Sequence, residues 1–389
     1  GAMKSSMTPR DDSVGLYLHV PFCDRRCHFC GFFTRARRED RVSAFVSDLL
    51  AEIQLHGRTE TLRGRTVETI YFGGGTPTIL SSGQLLSILE ACRRTFVVDT
   101  AAEVSIEANP ASVEEPFLRA LRKGGCNRLS LGAQSFDDAE LKAANTPHTA
   151  EQIERAVRAA RRAGFANLNL DLIYGLTGQS LTRWLANLEA AITLVPQHLA
   201  FYGLTIEEGT QFHREVERGY LNLPDEDALA DMYQEGRNRL RAAGYLQYEV
   251  SNFARQGHAC RHNLGYWTDR EWLGLGPSAH SYLDGARFSA VASLEEYHRL
   301  VSASRPPIAE REPGTPDLRL REAVAFGLRT VAGVACAPLR ERYGLDPIER
   351  FREPIERLTF GRWMILDGEV LRPSDDGLLL ADELAAAFL

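Results

Sequence analysis

From residue 15 onward, short apolar runs alternate with amphipathic stretches, and this rhythm limits the fold more firmly than any other feature of the chain. The runs are 16–22 (LYLHVPF), 67–74 (VETIYFGG), 103–110 (EVSIEANP), 128–134 (RLSLGAQ), 167–176 (NLNLDLIYGL) and 198–207 (HLAFYGLTIE). Each is rich in β-branched, leucine or aromatic residues and ends in glycine, proline or a polar group, as strands do. Between them, 41–54, 82–94, 114–125, 151–164 and 181–194 carry helical periodicity, several stopping at glycine or ahead of proline. Strands that alternate with helices make a parallel sheet joined by right-handed crossovers, so the fold class is α/β. A curved, partial (β/α)6 barrel of the TIM type fits this pattern, and a doubly wound open sheet fits it too. In both, ligands gather at the carboxyl ends of the strands. Those ends hold residues 21–23, 73–76 and 107–109, with Gln134, Asp171 and Glu207.

After a helix at 226–243, the segment 245–254 reads as one further strand, and 258–282 is rich in aromatic residues and histidine. The proline-rich stretch 305–316 marks a boundary. Helices near 317–331 and 347–359, a hairpin over 364–373 turning at Asp367 and Gly368, and a last helix near 381–388 make a small, winged-helix-like α+β unit. The division is therefore 1–14, 15–304 and 305–389, with Gly1, Ala2 and Met3 read as a cloning remnant ahead of a flexible tail. A net charge of −7 argues against a nucleic-acid partner. No run approaches the roughly 18 apolar residues of a transmembrane segment, and no apolar signal core opens the chain, so a cytoplasmic address is expected. The 389 residues contain seven cysteines, three of them within eight positions, which is a ligand pattern rather than a disulfide framework.

Those three, Cys23, Cys27 and Cys30, are spaced C-x₃-C-x₂-C on the loop after the first strand. Soft thiolates at this spacing converge on an iron–sulfur cluster and leave one iron open; a zinc ion completed by His19 or His28 is the rival. With its flanks (YLHVPFCDRRCHFC, 17–30) the motif resembles the radical S-adenosylmethionine (SAM) family. Within it, the chain resembles the branch that holds oxygen-independent coproporphyrinogen oxidases and HemW heme chaperones, from residue 15 to the end. The resemblance implies a [4Fe–4S] cluster on the three cysteines and SAM on the open iron. It also implies an electron donor such as flavodoxin or ferredoxin, whose electron cleaves SAM to methionine and a 5′-deoxyadenosyl radical. By position, Tyr17 matches the family's tyrosine beside the sulfonium, and Phe29 the aromatic whose backbone faces the adenine. Gly74, Gly75 and Thr76 match a run whose amides meet the methionyl carboxylate. Glu107 and Gln134 match polar partners of the methionyl moiety, and Asp171 the carboxylate on the ribose. From the residues alone, the glycines also read as a plain turn, Glu107 as the partner of a buried cation and Asp171 as a cap. The family places an arginine twelve residues after the glutamine, where this chain has Thr146. Threonine cannot form a bidentate clamp, so the departure implies weaker SAM binding or a substitute cation, Lys142 or Arg128.

The oxidases carry an extra cysteine two residues after the triad, where this chain has Phe32. His262, Asn263, Tyr266 and Trp267 match the HNxxYW motif of the heme chaperones. Imidazole is a good axial ligand for heme iron, and Tyr and Trp supply flat surface for a porphyrin, with Cys260 a nearby thiol. Without the resemblance, His262 reads rather as a hydrogen-bonded core histidine, with Trp267 and Trp272 in the core. The resemblance thus implies a radical SAM heme chaperone that hands heme to an apo-hemoprotein. The alternatives are a HemN-like methyltransferase of secondary metabolism and, last, the oxidase itself.

Overall fold

The computed structural model describes residues 12–389; the tail expected over 1–14 lies mostly outside them, and the first strand already begins at Ser13. Six strands run parallel: β1 (Ser13–Val20), β2 (Thr66–Gly74), β3 (Val97–Ala108), β4 (Arg128–Gln134), β5 (Leu168–Tyr174) and β6 (His198–Gly203). β7 (Leu246–Gln247) and β8 (Asn252–Ala254) continue the sheet beyond β6, antiparallel. On the other flank, β9 (Trp272–Leu275) is parallel to β1 and leads to the antiparallel β10 (His280–Leu283), β11 (Ala286–Ala290) and β12 (Ile308–Pro313). The order β12-β11-β10-β9-β1-β2-β3-β4-β5-β6-β8-β7 does not close on itself. Yet Tyr17, Tyr71, Arg128, Asn169, Tyr202 and Asn252, from six strands between β1 and β8, border one internal cavity. The sheet is therefore curled into a partial barrel rather than laid out as a flat, doubly wound one.

The local causes are visible in sequence. β1 is buried along almost its whole length, as a parallel strand covered on both faces must be. Helix Glu39–Arg58 adds Val42, Phe45, Val46, Leu49 and Ile53 to the same core at helical spacing. Helices Ser82–Thr95 and Ala150–Arg162 each start in a capping box, Ser81 with Gln84 and Thr149 with Gln152. Each cap contributes about 1 kcal/mol.

Two expectations are corrected. The segment 245–254 is not one strand: it reverses between β7 and β8, where the buried Glu249 accepts hydrogen bonds from the Ser251 amide and the Asn252 side chain. The boundary at 305 also moves, because β12 pairs with β11 and belongs to the large sheet. A second core then forms beyond it from Leu320, Val324, Phe351, Ile355, Leu371 and Phe388, among others. Its helices are backed by a small three-stranded sheet containing the hairpin Met364–Asp367 and Val370–Pro373. Among the described residues no helix is long and apolar enough to cross a membrane.

Candidate functional site

The cysteine loop is held before any ligand enters. Phe22–Cys23 pairs with Arg35–Ala36, closing the loop at its base. The His28 amide donates to the Ala144 carbonyl (3.0 Å), and the His28 carbonyl accepts from the Phe212 amide (3.0 Å). Cys23, Cys27 and Cys30 are free thiols on the wall of one cavity of about 740 Å³ at the carboxyl ends of the strands. Burial, then the neighbouring thiols, pushes Cys27 up to about 12, so an incoming metal must displace its proton. Among the described residues no three His, Cys, Asp or Glu side chains converge on a single-ion centre. His19 has both ring nitrogens engaged, Nε2 donating to the Phe33 carbonyl (3.1 Å) and Nδ1 accepting from the Tyr17 hydroxyl (3.1 Å). Three thiols spread along one wall suit a group larger than one ion.

The glycine run has a different task from the expected anion cradle. The Gly75 amide donates to the Val20 carbonyl (2.8 Å) and the Thr76 amide to the Phe22 carbonyl (2.7 Å), so neither is free for a carboxylate. What the glycines allow is contact: a Cβ on Gly75 would stand 2.4 Å from the Phe22 carbonyl oxygen and 3.0 Å from Cys23 Sγ. Gly75→Ala is therefore expected to push the Cys23 strand away and to cost about 1–3 kcal/mol. Thermal melts and the iron content after anaerobic reconstitution check this; a variant that melts and loads like the parent would refute the packing role.

Glu107, Gln134 and Asp171 all line the cavity. Burial raises Glu107 to about 7, against the hydrogen bond from the Tyr71 hydroxyl (2.7 Å). Burial likewise raises Asp171, which accepts from Asn169 Nδ2 (2.8 Å) and Ser130 Oγ (3.2 Å). Gln134 sits at φ 65°, at the centre of a three-residue turn in which the Ser135 amide donates to the Ala133 carbonyl (2.8 Å). A bulge between Gly132 and Gln134 against β5 accompanies it, and such strain marks sites where a side chain is re-aimed. Phe29 also borders the cavity. Tyr17 does not: its ring lies behind Gly73, facing the space below.

The position of the missing arginine is closed. Thr146 is buried and its hydroxyl donates to the Leu141 carbonyl (3.2 Å). Neither expected substitute stands there. Lys142 is solvent-exposed, and Arg128 begins the strand that Gln134 ends, about 20 Å away at a strand's rise per residue. The cations bordering the cavity are Arg25, whose Nη1 reaches the Thr146 carbonyl (3.5 Å), and Arg26.

His262, Asn263 and Tyr266 of the HNxxYW run lie on the barrel floor. Helix Arg261–Trp267 begins with the amides of Arg261 and His262 donating to the Glu103 carboxylate (2.9 and 3.0 Å). His262 is 2% exposed, its Nδ1 2.8 Å from Thr69 Oγ1 and its Nε2 2.8 Å from the Tyr266 hydroxyl. Both ring nitrogens are engaged in this arrangement. The ring stacks on Tyr71 at 5.0 Å, and Tyr266 packs edge-on against Trp272 at 4.6 Å. Asn263 borders the lower cavity, whose roughly 200 Å³ is below the range of ordinary ligand pockets and far too small for a macrocycle. Trp267 leaves the group altogether and meets Phe326 and Arg329 of the C-terminal unit. Helical spacing accounts for the split, since positions four apart share a face and adjacent positions do not. Thr69, Tyr71, Glu103 and Arg128 were not singled out as part of this floor from the sequence; for the first two, the alternation of β2 was the available signal.

Comparison with known proteins agrees with this geometry. Residues 17–191 match the family model of the radical SAM superfamily, and 315–380 match that of the HemN C-terminal domain. Fold and site together define a radical SAM protein with a HemN-type C-terminal domain. The chain is 36% identical to the heme chaperone HemW of Mycobacterium tuberculosis over 381 residues, covering 96% of this chain and 94% of that protein. It is 32% identical to the heme chaperone HemW of Bacillus subtilis over 378 residues, covering 96% and 98%. Among solved structures, coproporphyrinogen III oxidase (HemN) from Escherichia coli superposes with a TM-score of 0.84 at 26% identity, covering 97% of this chain and 90% of that one. The chain belongs to the HemW family of radical SAM proteins. That family implies a [4Fe–4S] cluster and SAM, and three free thiols beside a cavity of this size fit both.

Proposed function

We propose that this chain holds a [4Fe–4S] cluster on Cys23, Cys27 and Cys30, binds SAM above the strand ends, and carries heme as cargo for an apo-hemoprotein. One observation carries the cofactor reading: three thiols and the side chains of Glu107, Gln134 and Asp171 face a single cavity of about 740 Å³. When bound, cluster and SAM supply one-electron cleavage of the sulfonium, with the electron coming from a flavodoxin- or ferredoxin-type donor. The chain's own residues bind and orient. Glu107, near neutrality in its buried setting, takes up negative charge when an ammonium group comes beside it. Asp171, fixed by Asn169 and Ser130, presents its remaining lone pairs to hydroxyl donors. Gln134 offers an amide with both donor and acceptor capacity.

Heme as cargo is supported by the names of the relatives that align over nearly the whole chain. Phe32, 68% exposed on the cavity rim, offers flat apolar surface there, whereas His262 does not. An anaerobic heme titration of cluster-loaded protein is expected to saturate near one heme per chain. His262→Gln is expected to cost about 1–3 kcal/mol of stability by breaking the Thr69 and Tyr266 contacts, while leaving the Soret band of the heme-loaded protein in place. A shifted Soret band would make His262 the axial ligand and require the floor helix to open. Non-saturating heme uptake, with S-adenosylhomocysteine formed instead, would replace the chaperone reading by methyl transfer.

A further inference from the structure

Below the strand-end carboxylates lies the smaller cavity of about 200 Å³, closed underneath by the floor helix. Arg128 lines it from the first position of β4. Its side chain is 2% exposed, and among the described residues the guanidinium makes no hydrogen bond and no ion pair; Nε is fully buried and unpartnered. The Glu103 carboxylate and the Cys260, Tyr71 and Tyr248 side chains lie near enough to favour the charged guanidinium, but none hydrogen-bonds to it. Glu103 accepts from the Arg261 and His262 amides, Glu107 from the Tyr71 hydroxyl, and Asp171 from Ser130 and Asn169. A guanidinium does not give up its proton in a protein, and a buried N–H donor without an acceptor is unfavourable. Arginine is also the side chain whose planar fork matches the two oxygens of a carboxylate.

We propose that the lower cavity is a subsite for a small oxyanion or a carboxylate group, received by the guanidinium of Arg128, with the Asn263 and Tyr266 side chains on its border. The volume admits a group of that size with a water or two, and nothing as large as SAM or a porphyrin. Burial pushes Glu107 and Asp171 toward their neutral forms, which lowers the repulsion an incoming anion would meet. Glu107, Ser130, Asp171 and Tyr202 border both cavities, so the two spaces adjoin. The anion can therefore have two sources: a free ion, or the carboxylate arm of a larger molecule seated above.

The assignment rests on the lower cavity alone and not on the cluster or heme reading, so the full chain without cofactors serves for the test. Crystals soaked in bromide are expected to show an anomalous peak within hydrogen-bonding reach of Arg128. Formate is expected to raise the melting temperature of the parent, with binding at least about tenfold weaker in Arg128→Gln. If Arg128→Gln does not fold, the bromide soak of the parent decides by itself. Formate binding that disappears once heme, with its two propionates, is bound identifies a carboxylate arm as the source. Formate binding that persists beside heme identifies a free anion. Water alone at Arg128 in soaked crystals, or density at crystal concentration without any formate effect on melting, would overturn the subsite.

Discussion

Alanine at any one of Cys23, Cys27 or Cys30 is expected to bring cluster loading from near stoichiometric to background while leaving the fold intact. The two halves of that statement have separate causes. The loop provides three thiols and no fourth, so the loss of one leaves two irons of a four-iron cluster without protein ligands. The loop's shape depends on other contacts: the pairing of Phe22–Cys23 with Arg35–Ala36, and the backbone bonds from His28 to Ala144 and Phe212. Iron and sulfide per chain after anaerobic reconstitution, read beside a thermal melt, distinguish lost ligation from lost structure. Cys92→Ala is the control, since that thiol is buried in helix Ser82–Thr95 and should load like the parent. A triple variant that still took up the cluster would sink the assignment of these ligands.

The second large effect is one of pH. Burial raises the Glu107 carboxyl from 4.5 to about 7, so folding favours its protonated form. The stability this contributes is fully present below about pH 4.5 and is lost as the pH rises through about 7. A difference of that size amounts to about 3 kcal/mol. Glu107→Gln cannot titrate and keeps the neutral form throughout. In the cofactor-free protein its stability should therefore match the parent's at about pH 4.5 and exceed it by up to about 3 kcal/mol at about pH 8.5. Glu249, another buried carboxyl raised to about 7, titrates alike in both proteins and drops out of the difference. Denaturant unfolding across this range provides the test; a stability gap that does not vary with pH would mean that folding leaves the Glu107 pKa unshifted.

What the sequence disclosed follows the range of the forces involved. β1 to β6 and the helices between them were legible because alternation, helical periodicity and caps such as Ser81 and Thr149 are local. The three cysteines could be read as one group because they lie within eight residues. The engagement of the Gly75 and Thr76 amides was not legible, because the carbonyls of Val20 and Phe22 that accept from them come more than fifty residues earlier. The setting of His262 was hidden for a related reason. Spacing shows that it shares a face with Tyr266, but only the fold shows that this face meets Thr69 and Tyr71 inside the barrel. Arg128 looked like an ordinary strand residue, since a buried guanidinium without a hydrogen-bond acceptor becomes visible only once its neighbours are known. The reversal inside 245–254 is set by a buried Glu249, which a run of strand-forming residues conceals.

Helix Arg261–Trp267 has a practical consequence for anyone seeking a minimal protein. Its His262 side seals the lumen, while Trp267 rests against Phe326 and under the guanidinium of Arg329. A truncation that stops after Pro313 would keep every strand of the large sheet and every cysteine of the loop. It would nonetheless strip the cover from an indole on the very turn that closes the barrel beneath. The two halves are fastened here and also by the ion pairs of Arg237 and Arg241 with Asp375 and of Arg342 with Asp269, so they are not separate modules.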